Sequence, residues 1–438
     1  MPEKMIKIDL QIDHKQQGSY FTVPFEVPSG IESIDLVYTY PRRPSSEEQL
    51  PNGVFTAAPE LNIVDLGLVA PDGRQVGASG SDKTRIRISE SEATPGYKAC
   101  AIIPGRWQII VGAYKIAAEG ITVHYEIALQ EKSLRLLKGD LHVHSIASDG
   151  VHTYEELALK ARANGLDFLA VTDHNQAVTS AELPFVAGVT MIPGIEWTHY
   201  QGHANFLGVH APYDEPFFTN TLEETLGRFT SARKRGALIT INHPFEGGSS
   251  FQFDMKTLPF DCLEVLNGPM RESNLKAIGL WQQLLTSGLR LPITGGSDYH
   301  RDTPFIFLGG PTMGVYAMST GTSDILDAVR LGHSFISFAP NGPVAEMKAG
   351  TSMMGDEVYW QDTREMNFRI EGLQAGDVVR VITGVSSDTV HTAASDGSLE
   401  MTYLMVQPGF VRLEVLRAFL PGLPILPALI TNPIYFTA

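Results

Sequence analysis

A β/α barrel between two all-β sandwich domains, hence an α/β fold class with β-rich flanks, is what this sequence predicts. Three observations carry it. Residues 134–342 alternate short apolar strands with helical segments, the rhythm of parallel β/α units. Residues 1–133 and 343–438 instead show β-rich runs separated by turn dipeptides. In the middle segment, polar side chains recur where an apolar strand runs out, and β/α barrels gather their chemistry at the C-terminal ends of their strands.

The first part offers Tyr20–Val23, Ile34–Tyr38, Val64–Leu68, Trp107–Val111 and Ile121–Ile127 as strands. Pro28-Ser29-Gly30, Pro71-Asp72-Gly73 and Pro104-Gly105 punctuate them, which predicts a sandwich of jelly-roll or carbohydrate-module type. In the middle part, Leu141–His144 reads as a strand, and Thr153 opens a helix with Glu155 and Glu156 in its first turn and Gly165 as its stop. Strands follow at Phe168–Thr172, Met191–Glu196, Ala204–Val209, Leu238–Ile241, Cys262–Leu266 and Leu291–Gly296. Thr221–Arg235 is expected to be an amphipathic helix with Leu222, Leu226 and Phe229 on its buried face. Ser273–Thr286 and Asp324–Leu331 are further helices, and all strands of this part are expected to pair in parallel. After Pro340-Asn341-Gly342-Pro343, the runs Met366–Ile370, Val378–Ile382 and Phe410–Val415 predict a separate C-terminal sandwich.

Composition narrows the function classes. A chain of 438 residues is long enough for two or three domains, and 43% hydrophobic with 19% charged residues describes a globular protein. A net charge of −16 with no basic cluster argues against a nucleic-acid backbone as partner. Cys100 and Cys262 lie far apart, which favours a reduced compartment over a disulfide. The N-terminus MPEKMIKIDL lacks an apolar signal core, and Pro421, Pro424 and Pro427 break the apolar stretch Phe419–Ile430. No membrane association and a cytoplasmic location are the expectation.

The strand ends carry His142 and His144, Asp149, His174, Glu196, His203, His243, and Asp298 with His300. A lone histidine there is more often hydrogen-bonded structure than ligand, but independent structural histidines have no reason to recur at five strand ends. Nine imidazole and carboxylate groups without a thiolate exceed the needs of one cation and suit two or three divalent ions, Zn, Mn or Fe. His14, His124 and His391 read as surface residues, and His152, His199, His210 and His333 as structural. Ser145 and Ser297 have no base partner and read as hydrogen-bond donors beside ligands. Asn175, Asn267, Arg271 and Arg301 follow the ligand segments and are candidate substrate contacts.

In order, H-V-H-S…D-G, T-D-H-N, G-I-E, G-H-A-N-F-L-G, N-H-P and S-D-Y-H resemble the motifs of the PHP (polymerase and histidinol phosphatase) superfamily, over residues 138–342. The flanks and Thr431-Asn432-Pro433-Ile434-Tyr435 resemble the branch that includes carbaryl hydrolase. The resemblance implies a distorted seven-stranded β/α barrel with a di- or trinuclear centre. It implies that His142, His144, Glu196 and Asp298 hold one metal, that Glu196 bridges to a second held by His203 and His243, and that Asp149, His174 and His300 hold a third. A hydrolase acting on a small phosphorylated substrate through a metal-bridging hydroxide follows, with Asp298, His300 and Glu196 as catalytic groups. A carboxylester or carbamate hydrolase on the same centre is the alternative, and a non-catalytic binding protein using its sandwiches is the rival of another class.

Overall fold

The computed structural model describes residues 3–43 and 60–438. The chain divides into two compact units, Met1–Ser133 and Leu134–Ala438.

Among the described residues the first unit has eight strands: β1 (Glu3–Ile12), β2 (Ser19–Val27), β3 (Ile31–Thr39), β4 (Ile63–Val69), β5 (Gln75–Ser79), β6 (Arg85–Ile88), β7 (Gly105–Lys115) and β8 (Ile121–Glu131). They form two antiparallel sheets, in the orders β1-β8-β3-β6 and β2-β7-β4-β5. Period-two alternation is clean on β8, where Ile121, Val123, Tyr125, Ile127 and Leu129 are buried. They join Trp107, Ile109 and Leu66 of the other sheet in one core.

The second unit begins with β9 (Arg135–Asp140), α1 (Tyr154–Ala163), β10 (Phe168–Ala170), β11 (Thr190–Ile192), β12 (Gly194–His199) and β13 (Gly202–Leu207). It continues with α2 (Leu222–Lys234), β14 (Leu238–Ile241), β15 (Cys262–Asn267), α3 (Glu272–Thr286), β16 (Ile293–Gly296), β17 (Thr312–Ala317), α4 (Thr322–Leu331) and β18 (Ser334–Ser337). One sheet runs β12-β13-β14-β15-β16, and a larger one contains β11-β10-β9-β17-β18. Two isolated parallel bridges, Val143 to Tyr299 and His174 to Glu196, link their ends. Two of the helices start where side-chain caps satisfy free N–H groups: Thr153 with Glu156 for α1, and Thr221 with Glu224 for α2, are reciprocal capping boxes.

Four expectations need correction. The strand expected at Leu141–His144 ends at Asp140, and past it only Val143 makes a bridge. Pairing is not parallel throughout: β12, β13 and β14 are antiparallel neighbours, as are β9 and β17. Only Tyr200 and Gln201 separate β12 from β13, too short a link for a crossover, so a hairpin forms. On α2, Phe229 is buried with Thr225 and Ala232, while Leu222 and Leu226 face outward. Finally, residues 343–438 are not set apart from the α/β part. β18 pairs with Leu426–Thr431, which pairs with Gly409–Arg417, so one sheet runs through both. Asn432, in the late motif, accepts from the Ile293 N–H and donates to the Ser334 carbonyl, tying the C-terminal segment to β16 and β18.

The end of β9 is pinned to the end of β16 by Asp140. This fully buried carboxylate accepts from the N–H groups of His142 (3.2 Å), Ser297 (3.0 Å) and Gly309 (2.8 Å), and from the Ser297 hydroxyl. Asp140→Ala leaves four buried donors without an acceptor, so it is expected to cost more than about 3 kcal/mol. Denaturant unfolding of the variant against the parent measures this.

Candidate metal centre

The nine candidate ligands converge although they come from seven places in the chain. His142 and His144 follow β9, Asp149 lies in the loop before α1, and His174 follows β10. Glu196 is in β12, His203 opens β13, His243 follows β14, and Asp298 and His300 follow β16. His203 stands at the start of a strand rather than its end. The hairpin explains this, because antiparallel pairing sets His203 opposite Thr198 and brings the start of β13 to the end of β12. Non-glycine residues with positive φ, among the described residues, are Asn175 (51°), His243 (25°) and Asp298 (49°). All three lie in the ligand segments, where the chain must turn sharply as it leaves a strand.

Glu196 is the hub. Its fully buried carboxylate lies 2.7 Å from His174 Nδ1, 3.1 Å from His203 Nδ1 and 3.2 Å from His243 Nε2. His142 Nε2 and His144 Nε2 stand 3.3 Å and 3.5 Å away. Asp298 faces His144 Nε2 at 3.0 Å and His142 Nε2 at 3.4 Å. Asp149, half exposed, lies 3.1 Å from His300 Nε2 and 3.7 Å from His174 Nε2. Four overlapping sets could each hold a cation: His144, Asp149, His174 and His300; His142, His144 and Asp298; His142, Glu196 and His243; and His174, Glu196 and His203. His203 falls in a set with His174, and His203 and His243 also face the same oxygen of Glu196, Oε1, at 3.1 Å and 3.2 Å.

The residues fit divalent metal ions on two grounds. The donor set is imidazole and carboxylate only. In addition, His142 Nε2, both nitrogens of His144 and His243 Nδ1 are buried with no partner in hydrogen-bonding geometry. Leaving such groups unpaired costs roughly 1–3 kcal/mol each, a loss that a Lewis acid accepting one lone pair from each ring would reduce. The electrostatics point the same way. Burial pushes Glu196 up, but His142, His174 and His203 override it and hold the carboxyl well below the usual range. Asp298 is likewise held down by His142 and His144 against burial. Burial lowers His144, whereas the surrounding carboxylates raise His142, His174 and His243 despite theirs.

Three of the four side chains expected to touch substrate have other partners. Asn175 donates to the Thr198 carbonyl and accepts from the Thr198 N–H. Asn267 donates to Glu264 (3.1 Å) and Asp298 (3.3 Å), and Arg271 pairs with Glu246. Arg301 is exposed. Ser145 and Ser297 do donate beside the ligands, to Asp173 and Asp140. The sequence reading missed the groups that hold the ligands. Glu264 accepts from His142 Nδ1, Asn242 donates to Glu196 Oε1, and Thr198 Oγ1 meets His174 Nδ1. A signal for Glu264 was available: a charge inside the apolar run Cys262-Leu263-Glu264-Val265-Leu266 needs a buried partner.

No protein-family model matches the chain. A stretch of 91 residues is 35% identical to a 5'-3' exoribonuclease of Haemophilus influenzae, covering 20% of this chain and 33% of that protein. The match therefore spans about a third of that relative's length. Among solved structures, a two-domain protein from Bacteroides vulgatus containing a predicted PHP-like metal-dependent phosphoesterase is similar at 18% identity and TM-score 0.40, over 64% of this chain and 90% of that one. A proposed metal-dependent phosphoesterase from Bifidobacterium adolescentis gives 16% and 0.28, over 39% and 90%. An amidohydrolase from Chromobacterium violaceum gives 16% and 0.27, over 38% and 89%. Among the described residues, no helix is long and apolar enough to cross a membrane.

A depressed carboxylate stabilises the fold above its ordinary value, 4.5 for Glu196, and that contribution is lost as the pH falls through the lowered one. Chelator-treated protein is therefore expected to lose thermal stability as the pH falls below 4.5. Glu196→Gln is expected to flatten that loss, which thermal melts across the range would record.

Proposed function

We propose that this protein is a metal-dependent hydrolase of PHP type whose substrate is a small phosphorylated molecule. The observation that carries the proposal is the ring of five imidazoles around buried Glu196, with four of their nitrogens unpartnered. In this reading strands of the five-stranded sheet and of the larger sheet together close the distorted seven-stranded barrel, and the bridges at Val143–Tyr299 and His174–Glu196 support it. The carbaryl-hydrolase-like branch rests on the flanking β-rich segments and the motif at 431–435.

His142, His144, Glu196 and Asp298 would hold one ion, Glu196 with His203 and His243 a second, and Asp149, His174 and His300 a third. Bound Zn, Mn or Fe ions would supply Lewis acidity, lowering the pKa of a water and drawing off the charge that builds on the phosphoryl oxygens. The chain supplies the rest. Glu196 and Asp298 enter ionised, so their negative charge balances clustered cations. His300 Nδ1 donates to the Asp298 carbonyl (2.8 Å), which leaves Nε2 either to hold the third ion or, with two ions bound, to accept or deliver a proton at the partly exposed rim. In the two-ion form His300, with Asp298, would manage the leaving-group proton. No Ser or Cys is needed as nucleophile, because Ser145 and Ser297 donate to Asp173 and Asp140 rather than to a base.

The stretch shared with an exoribonuclease supports attack at a phosphoester. The net charge of −16 favours a small substrate over a nucleic-acid strand. Elemental analysis of protein purified without chelators is expected to find bound Zn, Mn or Fe. Stripping them should abolish hydrolysis of p-nitrophenyl phosphate or its bis-ester, and His144→Ala should lower turnover by more than about 100-fold. Activity confined to naphthyl acetate or a naphthyl carbamate would replace the phosphoester reading with a carbonyl one. Metal-free protein indifferent to His144→Ala would end the enzyme reading.

A further inference from the structure

The two oxygens of one carboxylate reach two of the ligand segments directly and a third through an amide. Glu264, 2% exposed in the middle of β15, lies with Oε1 2.9 Å from His142 Nδ1. Its Oε2 accepts the His243 backbone N–H at 2.9 Å and the Asn267 amide at 3.1 Å, and that amide also reaches Asp298 at 3.3 Å. The fit is tight. A Cβ at Gly296 would stand 2.3 Å from His142 Cβ and 3.2 Å from Glu264 Oε1, so the neighbouring strand must offer glycine here. His243 takes its N–H to this carboxylate at φ 25°, a backbone that needs an outside partner to persist.

We propose that Glu264 is a positioning residue that fixes the tautomer of His142 and thereby makes its Nε2 a ligand; this rests on the metal-centre reading above. An ionised carboxylate can only accept, so His142 must carry a proton on Nδ1 when it meets Oε1. The neutral ring then has its lone pair on Nε2, the atom that faces Glu196 and Asp298 and has no hydrogen-bond partner. The same carboxylate stops the ring from turning about its axis, because Oε2 is already engaged by a backbone donor that cannot move away.

Glu264→Gln separates this role from plain support, being equal in size and still able to accept at one end. The His243 N–H and the Asn267 amide are both donors and claim the glutamine oxygen. The glutamine NH2 is then left facing His142 Nδ1, which must become an acceptor, and the proton moves to Nε2, where it blocks coordination. We expect E264Q to lose about 10- to 100-fold in affinity for one Zn2+ equivalent, measured by competition with a chelating dye. The thermal midpoint of the metal-free protein should stay within about 4 °C of the parent. A variant that holds every equivalent as tightly as the parent overturns the proposal. So does one whose affinity falls only together with a large drop in the metal-free midpoint. A second measurement needs no variant: 15N-histidine NMR of the Zn2+-loaded parent should show the His142 proton on Nδ1, and a proton on Nε2 overturns the proposal. Parent protein that takes up no Zn2+, Mn2+ or Fe2+ removes the metal-centre reading itself and this inference with it.

Discussion

A single buried carboxylate facing five imidazoles is the constraint on which the second unit depends. Glu196 could not be ionised there alone, since taking one charge out of water into the interior costs several kcal/mol. It is held ionised by neighbours drawn from β9, β10, β13 and β14. Each of those neighbours would in turn be an ill-placed polar group without the carboxylates. The arrangement is mutual, so the strand ends that carry these residues must be held in register to a fraction of an ångström. Much of the surrounding hydrogen bonding does that. Asp140 fastens β9 to β16, Asn242 fastens Glu196 to β14, and Thr198 meets both Asn175 and His174.

The local backbone follows from the same demand. Asn175, His243 and Asp298 adopt positive φ at cost, although any of them would be more easily accommodated in the usual regions. The strain sits where a strand must end abruptly and redirect its next side chain inward. Asn175 is stabilised by its paired bonds with Thr198, and His243 by its N–H to Glu264.

How much was legible in the sequence depended on the kind of signal. Ligand candidates stood out because His, Asp and Glu are conspicuous after apolar runs, and the nine named residues do meet. Helix starts were legible through Thr153 and Thr221, since capping is local chemistry. The antiparallel hairpin of β12 and β13 was hidden in a two-residue link that the alternating rhythm overrode. The outward placement of Leu222 and Leu226 was hidden because an amphipathic stripe identifies a face only when its neighbours are known. Glu264 and Asp140 went unassigned for a third reason: a buried acid is recognisable only by what donates to it. The late motif Thr431–Tyr435 read as a family mark, yet its Asn432 bonds Ile293 and Ser334.

The sheet that passes from β18 into Leu426–Thr431 has a consequence for how such a chain can be inherited. A flanking module joined by a linker can be lost, duplicated or exchanged without disturbing its neighbour. Here the last segment completes the backbone pairing of β18, and Phe410 and Ile430 sit in the same core as Ile293, Met313 and Ile336. A chain shortened at residue 343 would bare a strand edge and open that core beside the strands that present Asp298 and His300. The C-terminal stretch therefore folds with the centre as one piece, whatever surface its outer strands display.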